Sequence, residues 1–390
     1  MGKLAVFYLA LCCVFNTAWA MPLLESEAFT SADSVLVCDE SGATLLDWQA
    51  DKMMMPASLA KLATAYLAVD KWGVSHRFFT DYYMQGNDLW VRGYGDPFIV
   101  SEELDAVVLK LKQKLTAEVK TIHIDNSHFQ FSSVPGRTNV SDPYNAPLSA
   151  VAVNFNTAKL RRHNGQILSA ESQTPLTATA AKLAKNLSKK SERVNLQTVS
   201  NAQTNFAQLL AIKLGLSKVA IKIDQKVADN AVLIYRHENS HTLADVLRGT
   251  LEFSNNFMAN QVFLQFGQQV PLNFIGAQSA AEEQLSRKLN WSSHRLVEGS
   301  GLSRDNRLSA RQIDNLLEQL SSHKELLKEV EHPNATIYAK TGTLDGVRSY
   351  AGFIKLANKN YRFVFIFNRT MPWRYREQVL DRLVNQLNAL

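Results

Sequence analysis

Pro56-Ala57-Ser58-Leu59-Ala60-Lys61-Leu62-Ala63-Thr64-Ala65-Tyr66-Leu67 begins a helix that carries chemistry on its first turn. Pro56 and Ala57 suit a helix start, and Leu59, Leu62, Ala63, Tyr66 and Leu67 recur at helical spacing, predicting one buried stripe that ends near Gly73. Residues three apart lie one turn apart on the same side, so the Lys61 amine can reach the Ser58 hydroxyl. The helix start supplies unpaired N–H groups and a positive dipole end, which favour a developing oxyanion and disfavour a second positive charge on Lys61. A lysine at its free value of about 10.4 is a poor base at neutral pH, so burial and a neighbouring cation must bring it down at a cost of about 4 kcal/mol. Lys340 is the neighbour the sequence offers.

Two more short motifs follow in order, Ser254-Asn255-Asn256 and Lys340-Thr341-Gly342. Each alone is a weak signal; together they bring a nucleophile, a base, a second hydroxyl, an amide and a second amine. Around them the pattern predicts two strands, Ser34 to Asp39 and Ala43 to Trp48, turned by Glu40-Ser41-Gly42. From His76 the texture changes to short strands such as 88–92 and 121–125, a helix over 101–115, and a polar, flexible passage over 169–192. Helices are expected at 243–251 and 257–266, and strands at 336–340, 348–355 and 361–367, the last two paired across a turn at Asn358-Lys359-Asn360. The closing stretch 374–390 sets Val379, Leu380, Leu383, Val384 and Leu387 on one helical face; both charge signs on its other face predict packing on the sheet rather than a membrane.

With 390 residues, 46% hydrophobic and 20% charged, the chain is globular in composition and long enough for two domains. Lys3, the apolar run 4–15 and Ala18-Trp19-Ala20 read as a leader peptide of residues 1–20, predicting export to the periplasm or cell envelope. The residue before Cys12 and Cys13 is Leu or Cys, unlike the small residue of a lipid-attachment signal. Cleavage leaves Cys38 alone, a buried strand thiol with no partner for a disulfide. The net charge of +6 is dispersed, without an arginine stripe, which argues against nucleic acid and allows a mild attraction to anionic envelope polymers or a membrane surface.

The chain resembles the serine penicillin-binding proteins and β-lactamases, whose motifs are Ser-x-x-Lys, Ser-x-Asn and Lys-Thr-Gly. Gly95-Asp96-Pro97, Ile124-Asp125-Asn126-Ser127, Tyr144-Asn145-Ala146-Pro147-Leu148-Ser149-Ala150 and Gly299-Ser300-Gly301-Leu302-Ser303-Arg304 are similar to the class C low-molecular-mass branch, the D-alanyl-D-alanine carboxypeptidase/endopeptidases of penicillin-binding protein 4 type. The resemblance implies an α/β (α+β) transpeptidase-like domain, a central antiparallel sheet flanked by helices, with a β-rich module inserted after the first catalytic helix. The boundaries expected are 21–75 and 232–390 for the catalytic domain and 76–231 for the module. The insertion is short for a member with two nested modules, implying that one is kept and the other lost or reduced.

By the same resemblance Ser58 is the acylated nucleophile, Lys61 its base and Ser254 a proton relay, with Asn256 on the substrate amide and Lys340 on the terminal carboxylate. Thr341 supports that contact, Gly342 lets substrate lie close, and the Ser58 and Thr343 N–H groups form the oxyanion hole. Asp125, Phe129 and Arg304 are implied to line a pocket for the peptide side chain; the residues alone equally allow Asp125 as a turn cap on Ser127 and Arg304 as a buried ion pair. Asp345 stands where some members have an amide. Substrates are then peptidoglycan peptides and covalent inhibitors β-lactams, with no metal or organic cofactor. β-Lactamase or esterase chemistry on the same skeleton stays open, whereas three intact motifs disfavour a non-catalytic binding protein. The zinc-protease pattern in His237-Glu238-Asn239-Ser240-His241 sits in the wrong context, since Thr242 and Asp245 predict a helix that begins after both histidines.

Overall fold

The structure, a computed structural model, describes residues 23–138, 141–184, 187 and 189–389; the leader expected at 1–20 lies outside them. β1 (Asp33–Asp39) and β2 (Thr44–Trp48) form the expected hairpin. Val35, Leu36 and Val37 are all buried, so β1 is covered on both faces, as an unbroken apolar run requires. α1 (Ala60–Trp72) follows one 3-10 turn at Ala57–Leu59. The spacing predicts one buried stripe, yet residues 60–68 are buried all round. The helix runs through the middle of the domain, packed with sheet residues such as Val364 and Ile366 and with helical residues such as Leu247 and Leu316.

The inserted segment contains β3 (Arg77–Gln85), β4 (Asp88–Gly93), α2 (Ser101–Lys114), β5 (Thr121–Asp125), β6 (Thr157–His163), β7 (Gln166–Ser169), α3 (Ala178–Leu183), β8 (Ser191–Asn195), α4 (Val199–Leu214), β9 (Ala220–Lys222) and β10 (Val232–Thr242). These make two sheets, β10-β3-β4-β5-β9 and a nested β7-β6-β8. The first is covered by α2 and α4 through Leu104, Val107, Phe206 and Leu210. The second has its own small core of Leu160, Leu183, Val194 and Leu196. The insertion therefore holds two sheets, the smaller one nested within the sequence of the larger. Two expectations change: β10 pairs with β3, carrying the module past residue 231 to Thr242, and the polar passage 169–192 contains α3, capped by the Thr177 hydroxyl and buried through Leu183. The insertion is also more helical than its strand-like texture suggests.

β10 carries the histidine pair on a strand. His237 bonds Glu103, His241 stacks on Phe98, and the helix begins only at Leu243 behind a Thr242–Asp245 capping box. α5 (Leu243–Glu252), α6 (Asn256–Leu264), α7 (Phe274–Leu289) and α8 (Ala310–Gln319) precede β11 (Lys328–Val330), β12 (Thr336–Leu344), β13 (Val347–Leu356), β14 (Lys359–Phe367) and α9 (Tyr375–Asn388). The catalytic sheet is antiparallel, ordered β11-β12-β13-β14-β1-β2, with α1 and α8 on one face and α9 on the other. Leu356 pairs with Lys359, so the last hairpin turns on Ala357-Asn358, tighter than the three residues expected.

Arg362 of β14 and Asp314 of α8 form a buried bidentate pair, at 2.8 and 3.1 Å, on the face that also holds Cys38. Burial, and then the Asp314 charge, push the Cys38 thiol up to about 11, which leaves it inert as a nucleophile at neutral pH. Arg362→Leu strands the Asp314 charge. We expect it to cost about 3–5 kcal/mol of unfolding free energy by urea denaturation, largely recovered when Asp314→Leu is added.

Candidate active site

Ser58 sits in the 3-10 turn immediately before α1, with Ala57 held at φ +49° ahead of it. Three segments enforce that turn. The Ser349 hydroxyl donates to Pro56 O (2.8 Å), and Gly301 and Gly342 lie so close that a Cβ on either would come within 3.0 Å of Ser58 N. Gly342 thus admits the Ser58 turn beside β12, a close approach that only glycine allows.

Lys61, fully buried one turn on, donates from Nζ to Asn256 Oδ1 (2.7 Å), Ser300 O (2.6 Å) and Ser58 Oγ (3.2 Å). Asn255 caps α6 by accepting from the Met258 N–H, which leaves Ser254 free of that duty. Ser254, at φ +55°, accepts instead from Lys340 Nζ at 2.9 Å. Lys340, on β12 and 2% exposed, also bonds Thr341 O. Asn256 is spent on Lys61 and, through Nδ2, on Tyr144 O at 3.2 Å, so substrate must replace that longer bond to engage its amide.

Burial brings Lys61 down to about 7, with Glu298 pulling the other way. Lys340 is held well below its usual value by burial, then by repulsion from Lys61 and Arg376. The sequence expects burial and a neighbouring cation together to lower Lys61; burial is the lowering influence in the folded protein. A lysine amine near neutrality beside a serine hydroxyl is the arrangement that a nucleophile and its base require. Ser58, Ser254, Asn256 and Thr343 share one cleft of about 450 Å³.

A family model described as D-Ala-D-Ala carboxypeptidase 3 (S13) matches residues 23–192 and 169–332. The chain belongs to that family. The two matches overlap over residues 169–192, within the nested module, and the Lys340 motif lies beyond the second match. Penicillin binding protein 4 from Haemophilus influenzae is similar in fold, with 21% identity and a TM-score of 0.74 over 91% of this chain and 96% of that one. A predatory peptidoglycan endopeptidase from Bdellovibrio bacteriovorus is similar at 14% identity and a TM-score of 0.58, over 91% and 92%. The same endopeptidase acylated by penicillin G, in complex with an immunity protein, aligns at 13% identity and 0.52, over 91% and 90%.

Of the three residues that the resemblance implies for a side-chain pocket, Asp125 and Phe129 are not among those lining the cleft, and Arg304 stands beside it. Asp125 is fully buried: Oδ1 accepts from the Ser127 N–H (2.9 Å), Oδ2 from the Val227 N–H (3.0 Å), and Arg92 lies 3.9 Å away. The turn-cap reading is the one realised. Phe129 is buried beneath Gly95 and bridges to Leu272, a core role. Arg304 is exposed, not a buried ion pair, and donates to Asp345 O (2.6 Å) at the rim of the cleft.

Three residues escaped the sequence reading. Tyr144 lies in a quoted motif but reaches the cleft only because the module folds over it. Arg376 on α9 donates to Gly342 O (2.8 Å) and Thr343 Oγ1 (3.0 Å), bracing the third motif from behind; the apolar periodicity of α9 held no hint of it. Glu298 immediately precedes the quoted Gly299 segment.

Proposed function

We propose that this chain hydrolyses D-alanyl bonds of peptidoglycan peptides as a serine-type carboxypeptidase and endopeptidase, and is acylated by β-lactams on Ser58. The supporting observation is the convergence of a hydroxyl, a buried amine near neutrality and a second hydroxyl–amine pair in one cleft. Neutral Lys61 takes the Ser58 proton as Oγ attacks the D-alanyl carbonyl, and the oxyanion faces the Ser58 and Thr343 N–H groups. Ser254 passes the proton to the leaving amine as the C–N bond breaks, and water then cleaves the ester. An incoming terminal carboxylate restores the charge on Lys340. This substrate suits the leader reading of residues 1–20, and we place the protein in the periplasm or cell envelope. The penicillin-acylated Bdellovibrio endopeptidase lends the reading support.

The test is intact-mass analysis after penicillin G, with and without EDTA, alongside D-alanine release from D-Ala-D-Ala-terminated peptides and cleavage of cross-linked dimers. We expect a single adduct unaffected by EDTA, and peptide turnover. Absence of both sinks the reading.

A further inference from the structure

Glu298 is a carboxylate with no exposure to solvent, placed in the segment between α7 and α8. Six donors converge on it. Oε2 accepts from Asn260 Nδ2 (3.0 Å), Ser300 N (2.9 Å) and Ser300 Oγ (2.5 Å), while Oε1 accepts from Gly301 N (2.7 Å), Asn306 Nδ2 (2.7 Å) and Ser303 N (3.2 Å). A carboxylate is acceptor-only, so it satisfies all six, and it has no Lys or Arg partner among the described residues. The loop it gathers is clasped to α1 at two points: Thr64 Oγ1 donates to Gly299 O (2.9 Å), and Lys61 Nζ donates to Ser300 O (2.6 Å). The same loop carries Gly301 against the peptide of Ala57 and Ser58.

We propose that Glu298 is a positioning residue for the reaction: its buried carboxylate shapes the 299–303 loop so that the Ser300 carbonyl receives the Lys61 amine, and it supplies the negative charge that faces Lys61. The inference rests on the reading of Lys61 as the base. The groups facing Lys61 are Ser58 on its own turn, Asn256 on α6, the Ser300 carbonyl with Glu298 behind it, and Lys340 on β12, itself backed by Arg376. Burial disfavours a charge on Lys61; Glu298 is the opposing influence, and it holds the amine near neutrality instead of letting it fall further. Without that charge the base stays neutral to lower pH but is a weaker proton acceptor.

The test is the pH dependence of the second-order acylation rate with penicillin G, followed by intact mass, for wild type, Glu298→Gln and Glu298→Asp. We expect the acid limb of wild type to fall as pH drops through about 7. In Glu298→Gln the limb moves to lower pH by roughly one unit and the plateau falls about 10-fold. Glu298→Asp keeps the charge, and with it the wild-type limb, while losing part of the plateau. A Glu298→Gln limb at the wild-type midpoint overturns the proposal. If that variant does not fold, a displaced limb in Glu298→Asp overturns it instead. A wild type that takes no adduct sinks the base reading itself, a separate result from either.

Discussion

Ser58→Ala is expected to give no penicillin adduct at all, and to lower D-alanine release by about 10⁴-fold or more, as loss of a covalent nucleophile does elsewhere. Ser254, the second serine of the cleft, accepts from Lys340 rather than from the base. Lys61→Met removes the base and leaves Asn256 Oδ1 and Ser300 O without their donor, so it should slow acylation by a similar factor. The two residues act as a unit, and the double variant should be little worse than either single one. Intact mass over a time course measures both. An adduct that forms on Ser58→Ala at the wild-type rate overturns the nucleophile assignment.

Gly301→Ala should disable the site without touching any reacting atom. At φ +81° its added Cβ would lie 1.8 Å from Ala57 O, 2.4 Å from Ala57 C and 2.9 Å from Ser58 N. These are backbone atoms that cannot rotate away, so either the 299–303 loop or the nucleophile turn must move. A displacement of about 1 Å at a reacting group costs about 10²-fold in rate, and the acylation rate should fall at least that far. Gly165→Ala is the control: it has a similar φ of +75° with nothing within 4 Å of the added carbon, in the turn between β6 and β7. It should cost only the backbone strain, about 1 kcal/mol of stability, and leave acylation unchanged. Equal loss of acylation in both variants would mean that strain, and not the contact with Ala57, is responsible.

The legible part of the site was the part built on short spacing. Ser58 and Lys61 are one turn apart in numbering, so their contact was legible locally, although Ser58 lies in the 3-10 turn that leads into α1. Thr242 and Asp245 likewise announce a helix start that removes the zinc reading, because a capping box is a local structure. Lys340 and Ser254 were named by motif, but nothing in either segment says that the two meet. The placement of Asp125 and Phe129 was not legible, for the opposite reason. They belong to a segment whose family resemblance is good, yet their burial depends on Val227, Arg92 and Leu272, which arrive from far along the chain.

The fold divides the same way. The alternating and unbroken apolar runs of β1, β13 and β14 announce a sheet, since side-chain period is a property of the strand itself. That β14 lies beside β1, across most of the chain, is settled by pairing that no local pattern encodes. β10 went unseen because its exposed and polar residues give little hydrophobic signal; its pairing with β3 makes it a strand.

By itself, then, the sequence determined the chemical inventory, the order of the three motifs, the antiparallel sheet with its insertion, and the pairing of Ser58 with Lys61. Tertiary structure alone decided that Lys61 is fully buried with its amine brought down to about 7, that Glu298 stands behind the Ser300 carbonyl and Arg376 behind the Lys340 motif, and that Asp125 bonds within the module. The physical reason is range: periodicity and capping act over a few residues, whereas desolvation and the field at a buried charge are sums over everything the folded chain brings near it.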